Sequence, residues 1–429
     1  MEFFNDLIYL FALIVYSPKI LYRVLTQNRY KEGWGERLGK ISRNSPDKKC
    51  VWVHAVSVGE VNATKTLIAK LKNQLPQYEI IFSATTDTGV EQARKLYGKE
   101  FKVFYFPFDF SFIVRQTFKR LKPDLCLLME LEVWPNFTSR AAKLNIPVVV
   151  VNGRISDRSF PRYKIIKLFV EKTFAKVALF LAQTQEYADR FIALGGRKNS
   201  AVITGSLKFD TAQIIDKVEG ADKIAQQLNI SNQRLFVAGG TGPKEEKIIL
   251  DVFKQLKQQP NFSQLRLAIV PRKPERFEEV ASLIKQSGFD LTRYSKIKSG
   301  EQSGTIEKDS VILGDTMGDL RKFYSLATLV FVGRTLVPMG GSDMMESTAM
   351  GKCTIFGPHT FNFKETVNAL LQAQGAIEVK NEMNLYETIC KCLDDPQFAN
   401  QIAAAGQQVI KQNQGATEKS ISTILNLIK

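Results

Sequence analysis

Histidine is scarce: His54 and His359 are the two in 429 residues, which excludes a histidine-rich metal centre and leaves no metal expected. Cysteine is sparse as well. Cys50, Cys126, Cys353, Cys390 and Cys392 are odd in number and scattered, so they imply no disulfide framework and suit a reducing compartment. Cys390 and Cys392 form a lone C-x-C, the pattern of an ordinary helix surface rather than a metal site. The chain has no low-complexity tract and no short internal repeat, which argues against disorder and against solenoids. Acidic residues are in deficit, 43 against 59 Lys and Arg, a net charge of +16. That excess points to polyanionic company, whether nucleic acid, anionic lipid or a phosphorylated substrate, and charge alone does not choose. What is present is a globular composition, 44% apolar. At about 150 residues per domain it implies two or three domains, each with its own core.

A run of apolar residues long enough to span a bilayer is also missing. The N-terminal run LIYLFALIVY (7–16) has ten residues, where a clean span takes about 20. Glu2 and Asp6 stand where a signal peptide would be basic, which argues against secretion. Positive charge follows the run instead: seven basic residues (Lys19, Arg23, Arg29, Lys31, Arg37, Lys40, Arg43) and two acidic ones lie between 19 and 43. Basic residues beside an apolar helix stay cytoplasmic and are drawn to anionic headgroups. The pattern predicts a membrane-anchoring helix over 1–27, with a buried core helix as the alternative.

Beyond residue 45 short β-branched runs alternate with amphipathic helical patterns. Strands are expected at 51–54, 80–84, 125–129 and 148–152, and a helix over 61–75 with Leu67, Ile68, Leu71 and Leu75 on one face. A connection follows at TGSLKFD (204–210), then a polar helical segment to about 229. Alternation restarts with strands at 235–238, 267–270, 311–313, 329–332 and 353–356. This is an α/β chain with parallel sheets covered on both faces. The halves read as two Rossmann-like domains, 28–209 and 210–429, facing across a cleft, with chemistry sought in the loops after strands.

In the first half HAVSVGEV (54–61) joins a strand to a helix. Ser57 and Gly59 allow a tight turn, the helix start favours an anion, and Glu60 in the first turn is a candidate carboxylate base. A first-turn Glu is also plain good helix design. The A-x-S-x-G at 55–59 nearly matches a nucleophile elbow, which would need His359 as base. MELEVWPN (129–136) places Glu130 and Glu132 two apart, on one side of an extended strand, where carboxylates are costly unless used or paired with Arg154 or Arg158. NGRISDRS (152–159), with Asn152, Arg154 and Arg158, opens a stretch to 176 holding seven basic and two acidic residues, suited to a phosphorylated ligand or only to solvating a helix. Lys208 stands close to the expected cleft.

In the second half AGGTGPKEE (238–246) resembles a phosphate loop but lacks the third glycine of the dinucleotide fingerprint and is no Walker A. Arg272 follows a strand and suits a phosphate or a base edge. GDTMGDL (314–320) and GRTLVPMGGSDMMES (333–347) follow two more strands. There Gly340 and Gly341 allow close backbone approach, a helix beginning near Ser342 offers N–H groups to a phosphate, and Glu346 would accept from ribose hydroxyls.

Together these segments resemble the bacterial 3-deoxy-D-manno-octulosonic acid (Kdo) transferases of lipopolysaccharide assembly. The likeness is carried in order by GERLG (35–39), HAVSVGE (54–60), ELEVWPN (130–136), NGRIS (152–156), TGSLKFD (204–210), VPRKPERF (270–277), GDTMGDL and GPHTFNF (357–363). It implies a GT-B fold, an acceptor-binding first domain, and transfer of Kdo from CMP-Kdo to the lipid A precursor on the cytoplasmic side of the inner membrane, without a cofactor. Through it Glu60 matches the catalytic base, and Glu130 and Lys208 the transition-state stabilisers. Pro271–Arg272, Met317-Gly318-Asp319 and Asp343-Met344-Met345-Glu346 match segments that hold CMP. The family's G-G-H-N reads Gly340-Gly341-Ser342-Asp343 here, and its T-H reads Thr241-Gly242. The expected reaction is inverting transfer, with Ser57, Gly59, Glu132, Asn152, Arg154 and Arg158 positioning the acceptor. The alternatives are a GT-B enzyme using another nucleotide sugar, a serine hydrolase, and a non-catalytic protein binding anionic lipid. Nucleic acid is the weakest partner, since no recognised module is present.

Overall fold

Seven parallel strands form the first sheet of the computed structural model: β1 (Lys49–Ala55), β2 (Tyr78–Ala84), β3 (Lys102–Tyr105), β4 (Leu125–Met129), β5 (Val148–Gly153), β6 (Leu179–Ala182) and β7 (Ala201–Ile203). Their order is β3-β2-β1-β4-β5-β6-β7. A second parallel sheet holds β8 (Leu235–Thr241), β9 (Arg266–Pro271), β10 (Leu291–Arg293), β11 (Val311–Leu313), β12 (Leu329–Val332), β13 (Cys353–Phe356) and β14 (Ile377–Glu378), in the order β10-β11-β9-β8-β12-β13-β14. The structure describes residues 2, 4–11, 14, 15, 17, 32–301, 307 and 309–428. The basic residues 19, 23, 29 and 31 lie outside them.

The nine expected strands are all observed. Their interiors are mostly apolar because helices cover both faces of each sheet; β1, for instance, is buried from Cys50 to Ala55. Five strands went unforeseen: β3, β6, β7, β10 and β14, of four, four, three, three and two residues. Four of these are sheet edges, where short strands are favoured and too few residues remain to show a period.

Two helical expectations and one domain boundary are corrected. The helix foreseen over 61–75 starts earlier and breaks at Thr64 into Val58–Ala63 and Lys65–Gln74. Thr64 caps the break by donating its hydroxyl to the Val61 carbonyl. The segment before 229 is helical only over Ala221–Gln227. The chain divides into two units, Met1–Thr211 with Gln414–Lys429, and Ala212–Asn413, so the C-terminus belongs to the first unit rather than to a second half running through 429. Its helix Ala416–Ile428 buries Ala416, Ile421 and Ile424 in the core containing Leu67 and Leu71. Asp210 caps that helix, accepting from the Gly415 amide (2.7 Å) and the Thr417 amide.

Residues 4–11 are helical, as the apolar run suggests. No helix among the described residues is long and apolar enough to cross a membrane.

Candidate active site

Each sheet reverses its strand order once beside its first strand, between β1 and β4 in the first unit and between β8 and β12 in the second. Loops leaving the carboxyl ends of such neighbours part in opposite directions and open a crevice.

In the first unit β1 runs straight into the helix Val58–Ala63, whose N-cap is Ser57. Glu60 is its third residue and folds back: Oε2 accepts from the Val56 amide at 2.9 Å and Oε1 from the Ser57 hydroxyl at 2.9 Å. The Ser-x-x-Glu spacing makes this a variant of the capping box. Burial raises the Glu60 carboxyl above its ordinary range and the charge of Glu130 adds to the rise, against the two hydrogen bonds. The tight turn expected at Gly59 is absent; the nearest atom a Cβ there would meet is Ser57 Oγ, at 3.9 Å.

Glu130 and Glu132 sit where β4 ends, but not on an extended strand. β4 stops at Met129 and Glu130 turns left-handed at φ 53°, so the shared face came from the wrong geometry. The carboxylates nevertheless converge on Glu60. Burial first, then Glu60 and Glu130, push the Glu132 carboxyl up to about 7, while the Trp134 indole opposes the shift by donating to Oε2 at 3.0 Å. On its other side Glu132 lies 3.9 Å from His54 Nε2. His54 is completely buried, stacks on Phe106 with centroids 3.9 Å apart and contacts Ser83 through Nδ1, and burial lowers its pKa to about 3. A neutral imidazole thus adds no charge beside three carboxyl groups.

Asn152, the penultimate residue of β5, has φ 57° and accepts from the Leu207 amide at 3.0 Å. It thereby holds the short helix Leu207–Asp210, on which Lys208 is half-buried, to the strand next to β4. Arg154 is half-buried and Arg158 exposed. The elbow reading of Ser57 fails locally. Its hydroxyl is hydrogen-bonded to Glu60, and the neighbouring His54 is sealed in the core.

In the second unit the loops after β8 and β12 are tied together by a residue the sequence reading passed over. Glu245, fully buried, accepts from the amides of Arg334 (2.6 Å), Thr335 (2.9 Å), Leu336 (3.0 Å) and Gly242 (3.3 Å). Its sign in the sequence is a Glu three residues after a glycine loop, which reads equally as helix dressing. The Ser342 hydroxyl donates to the Gly240 carbonyl at 2.7 Å. Gly340, at φ 89°, has no room for a side chain, since a Cβ would fall 2.2 Å from Asn362 Nδ2.

The helix expected near Ser342 begins at Met345 and has five residues; Asp343 accepts from the Met345 amide at 2.9 Å. Met344 and Met345 are core residues, with their side chains turned into the protein. The buried Tyr324 hydroxyl has no hydrogen-bond partner; burial pushes its pKa far up, the Glu346 and Asp343 carboxylates add to the rise and Arg272 opposes it. Tyr324 was missed because an aromatic on a helix face reads as core. Pro271 is the buried end of β9 and Arg272 is exposed. Asp319 accepts from Lys298 (2.7 Å), Lys322 (2.8 Å) and Thr316 (2.8 Å). Burial would raise its carboxyl, but these donors prevail and bring it down to about 2. Beside it Met317 is exposed and Gly318 is left-handed. Cys392, expected at a helix surface, is buried 3.8 Å from the Cys353 sulfur. Among the described residues no three His, Cys, Asp or Glu are grouped to hold a metal ion.

Two doubly wound parallel sheets, with carboxylates at one switch point and a glycine-lined pair of loops at the other, define a GT-B-like α/β protein. Solved structures agree on the fold: a glycosyltransferase from Rickettsia africae has a TM-score of 0.56 at 14% identity over 89% of this chain and 99% of its own. UDP-GlcNAc 2-epimerase from Neisseria meningitidis has 0.55 at 12% identity over 88% of this chain and 100% of its own. Residues 32–211 match the family model for 3-deoxy-D-manno-octulosonic-acid transferase. The 3-deoxy-D-manno-octulosonic acid transferase of Haemophilus influenzae is 32% identical over 98% of this chain and 97% of its own. A bifunctional glycosyltransferase/methyltransferase of Fusobacterium nucleatum is 36% identical over 84% of this chain, which spans only 55% of that protein. The chain belongs to the Kdo transferase family, a family of glycosyltransferases.

Proposed function

We propose that the chain is an inverting glycosyltransferase that moves Kdo from CMP-Kdo to the phosphorylated lipid A precursor, lipid IVA, on the cytoplasmic side of the inner membrane. The observation that carries the reading is the carboxylate cluster at the first switch point, where Glu60 is made a stronger base than an ordinary glutamate by burial and by Glu130. The acceptor hydroxyl attacks the anomeric carbon as its bond to the phosphate breaks. The bonding pair leaves with CMP, and Glu60 takes the hydroxyl proton. Base catalysis of this kind contributes roughly 10²–10⁴-fold. Glu130 offsets the positive charge developing on the sugar and Lys208 the negative charge on the leaving phosphate. In the second unit Arg272 and the 340–346 loop receive CMP, a reading supported by the nearness of Arg272, Asp343 and Glu346 to one buried group, the Tyr324 hydroxyl.

Exposed apolar residues support a membrane-facing first unit. Leu7, Leu10, Phe11 and Ile14 are exposed on the N-terminal helix. Phe4 of that helix stacks on Phe169 with centroids 5.9 Å apart. Phe169 is one of a second exposed group, with Ile165 and Leu168, in the helices Ser159–Ile165 and Lys167–Phe174. Arg158, Arg162, Lys164, Lys167 and Lys172 flank that group. Apolar side chains with adjacent cations suit an anionic bilayer surface, entered from one side.

Incubation of the protein with CMP-Kdo and a tetraacylated lipid A precursor, followed by mass measurement of the lipid, tests the reading. Each transferred sugar adds one discrete mass step; an unaltered lipid mass contradicts it. A second reading, another nucleotide sugar, is favoured by the departures at Thr241-Gly242 and Ser342-Asp343. Inhibition by UDP rather than CMP would select it.

A further inference from the structure

The N-terminal helix faces the wrong way for a soluble amphipathic helix. Its apolar residues Leu7, Leu10 and Phe11 are exposed, while Asn5, Asp6 and Tyr9 turn polar groups onto the protein. Such a helix is held by hydrogen bonds rather than by burial of its apolar face. What these groups hold is the start of the helix Pro135–Lys143.

Two buried residues form the junction. Asp109 Oδ1 accepts from the Phe137 amide at 2.7 Å, and Oδ2 from the Asn136 amide and the Tyr9 hydroxyl, both at 2.9 Å. Asn136 Nδ2 donates to the Asp109 carbonyl at 2.6 Å and to Asp6 Oδ1 at 3.0 Å, and its Oδ1 accepts from Asn5 at 3.0 Å. Asp6 also caps the helix Ser111–Leu121, taking the Ser111 amide at 2.7 Å and its hydroxyl at 2.6 Å. Pro135 begins the helix that Asn136 and Phe137 continue, and the residue before it is Trp134, whose indole holds Glu132. Glu130, Glu132 and the anchored helix start therefore lie on one stretch of seven residues, 130–136. The WPN of the ELEVWPN motif has a physical reason: Trp orients a carboxylate, Pro starts the helix and Asn locks that start to the N-terminal helix.

We infer that Asn5, Asp6 and Tyr9 are positioning residues for the Glu130–Glu132 carboxylates, so that the lipid-facing helix is part of the transfer site as well as an anchor. This rests on the proposed role of that carboxylate cluster. Releasing the helix strips Asp109 and Asn136 of partners they cannot replace in a buried site, and the loop ahead of them loses its fixed end.

The test uses the full chain with Asn5→Ala/Tyr9→Phe and, separately, Asp6→Ala, assayed on acceptor in detergent micelles and in phosphatidylglycerol vesicles. A displacement of catalytic groups by about 1 Å costs up to about a hundredfold, so kcat should fall roughly tenfold or more in both media. KM for CMP-Kdo and vesicle binding should hold, and the amides of 132–134, 136 and 137 should exchange hydrogen faster. Asp6→Asn, which keeps an acceptor for Ser111, should recover part of the loss. Leu10→Ser/Phe11→Ser, on the outward face, should instead lower the vesicle reaction more than the micelle reaction. Unchanged kcat in micelles, or losses that simply follow vesicle binding, would overturn the inference. If the wild type transfers no sugar, the proposed function fails, and the exchange measurement decides the tie alone: unaltered exchange at those amides in the variants refutes it.

Discussion

Glu132 carries much of the electrostatic cost of the first site. Its carboxyl is pushed up to about 7 by burial and by Glu60 and Glu130, so the folded state binds a proton that the unfolded chain releases near pH 4.5. The sign follows by linkage: the group's contribution is most favourable below about pH 4.5 and is lost as pH rises towards 7. Glu132→Gln keeps an oxygen for the Trp134 indole and removes the charge. Its melting temperature relative to the wild type should therefore improve by roughly 3–8 °C between pH 5 and pH 8. Thermal melts across that range check this, and a constant offset would show that Glu132 is not desolvated in the folded protein. Glu60 itself was legible in the sequence, since Ser-x-x-Glu after a β-run marks a helix start. Glu132's partner His54 was not, because only the fold brings Ser83 of β2 and the Phe106 ring against its imidazole.

At the scale of elements, the long central strands and their order of appearance were readable from β-branched runs, and the edge strands were not, being too short to show periodicity. The 340–346 loop shows a different failure. A glycine pair followed by Ser-Asp suggests a helix N-terminus, yet Asp343 uses its side chain to cap a five-residue helix, and Met344 and Met345 fall inward. Local patterns mark where a loop bends; which side of it is buried depends on strands supplied from elsewhere. The helices Ser159–Ile165 and Lys167–Phe174 give the clearest element-level prediction. Leu168 is 77% and Phe169 59% exposed, so replacing both by Ser removes apolar surface without opening a cavity. Stability should change by less than about 1 kcal/mol, while binding to phosphatidylglycerol vesicles weakens. Co-sedimentation and a melting curve check it; undiminished binding would remove this pair from the bilayer contact.

For the whole molecule, the charge of +16 becomes specific once placed. Part of it flanks exposed apolar residues of the first unit, the arrangement on which the proposed contact with an acidic lipid surface rests. In the second unit Lys298 and Lys322 are already committed to Asp319, and Arg272 stands exposed after β9. The division between units was only half legible. The connection near 210 is visible as a sequence of turn residues, but the return of Ala416–Ile428 to the first unit leaves no local sign, since an amphipathic helix does not name the core it joins.

The central claim is that Glu60 deprotonates the acceptor. Glu60→Gln keeps the size and an acceptor oxygen for the Val56 amide, turns the Ser57 contact round so that the new amide nitrogen donates to the hydroxyl, and cannot take a proton. Measured side by side, its rate of Kdo transfer should fall by roughly 10²-fold or more while CMP binding by calorimetry is unchanged. Transfer at a near wild-type rate by this variant would contradict the account.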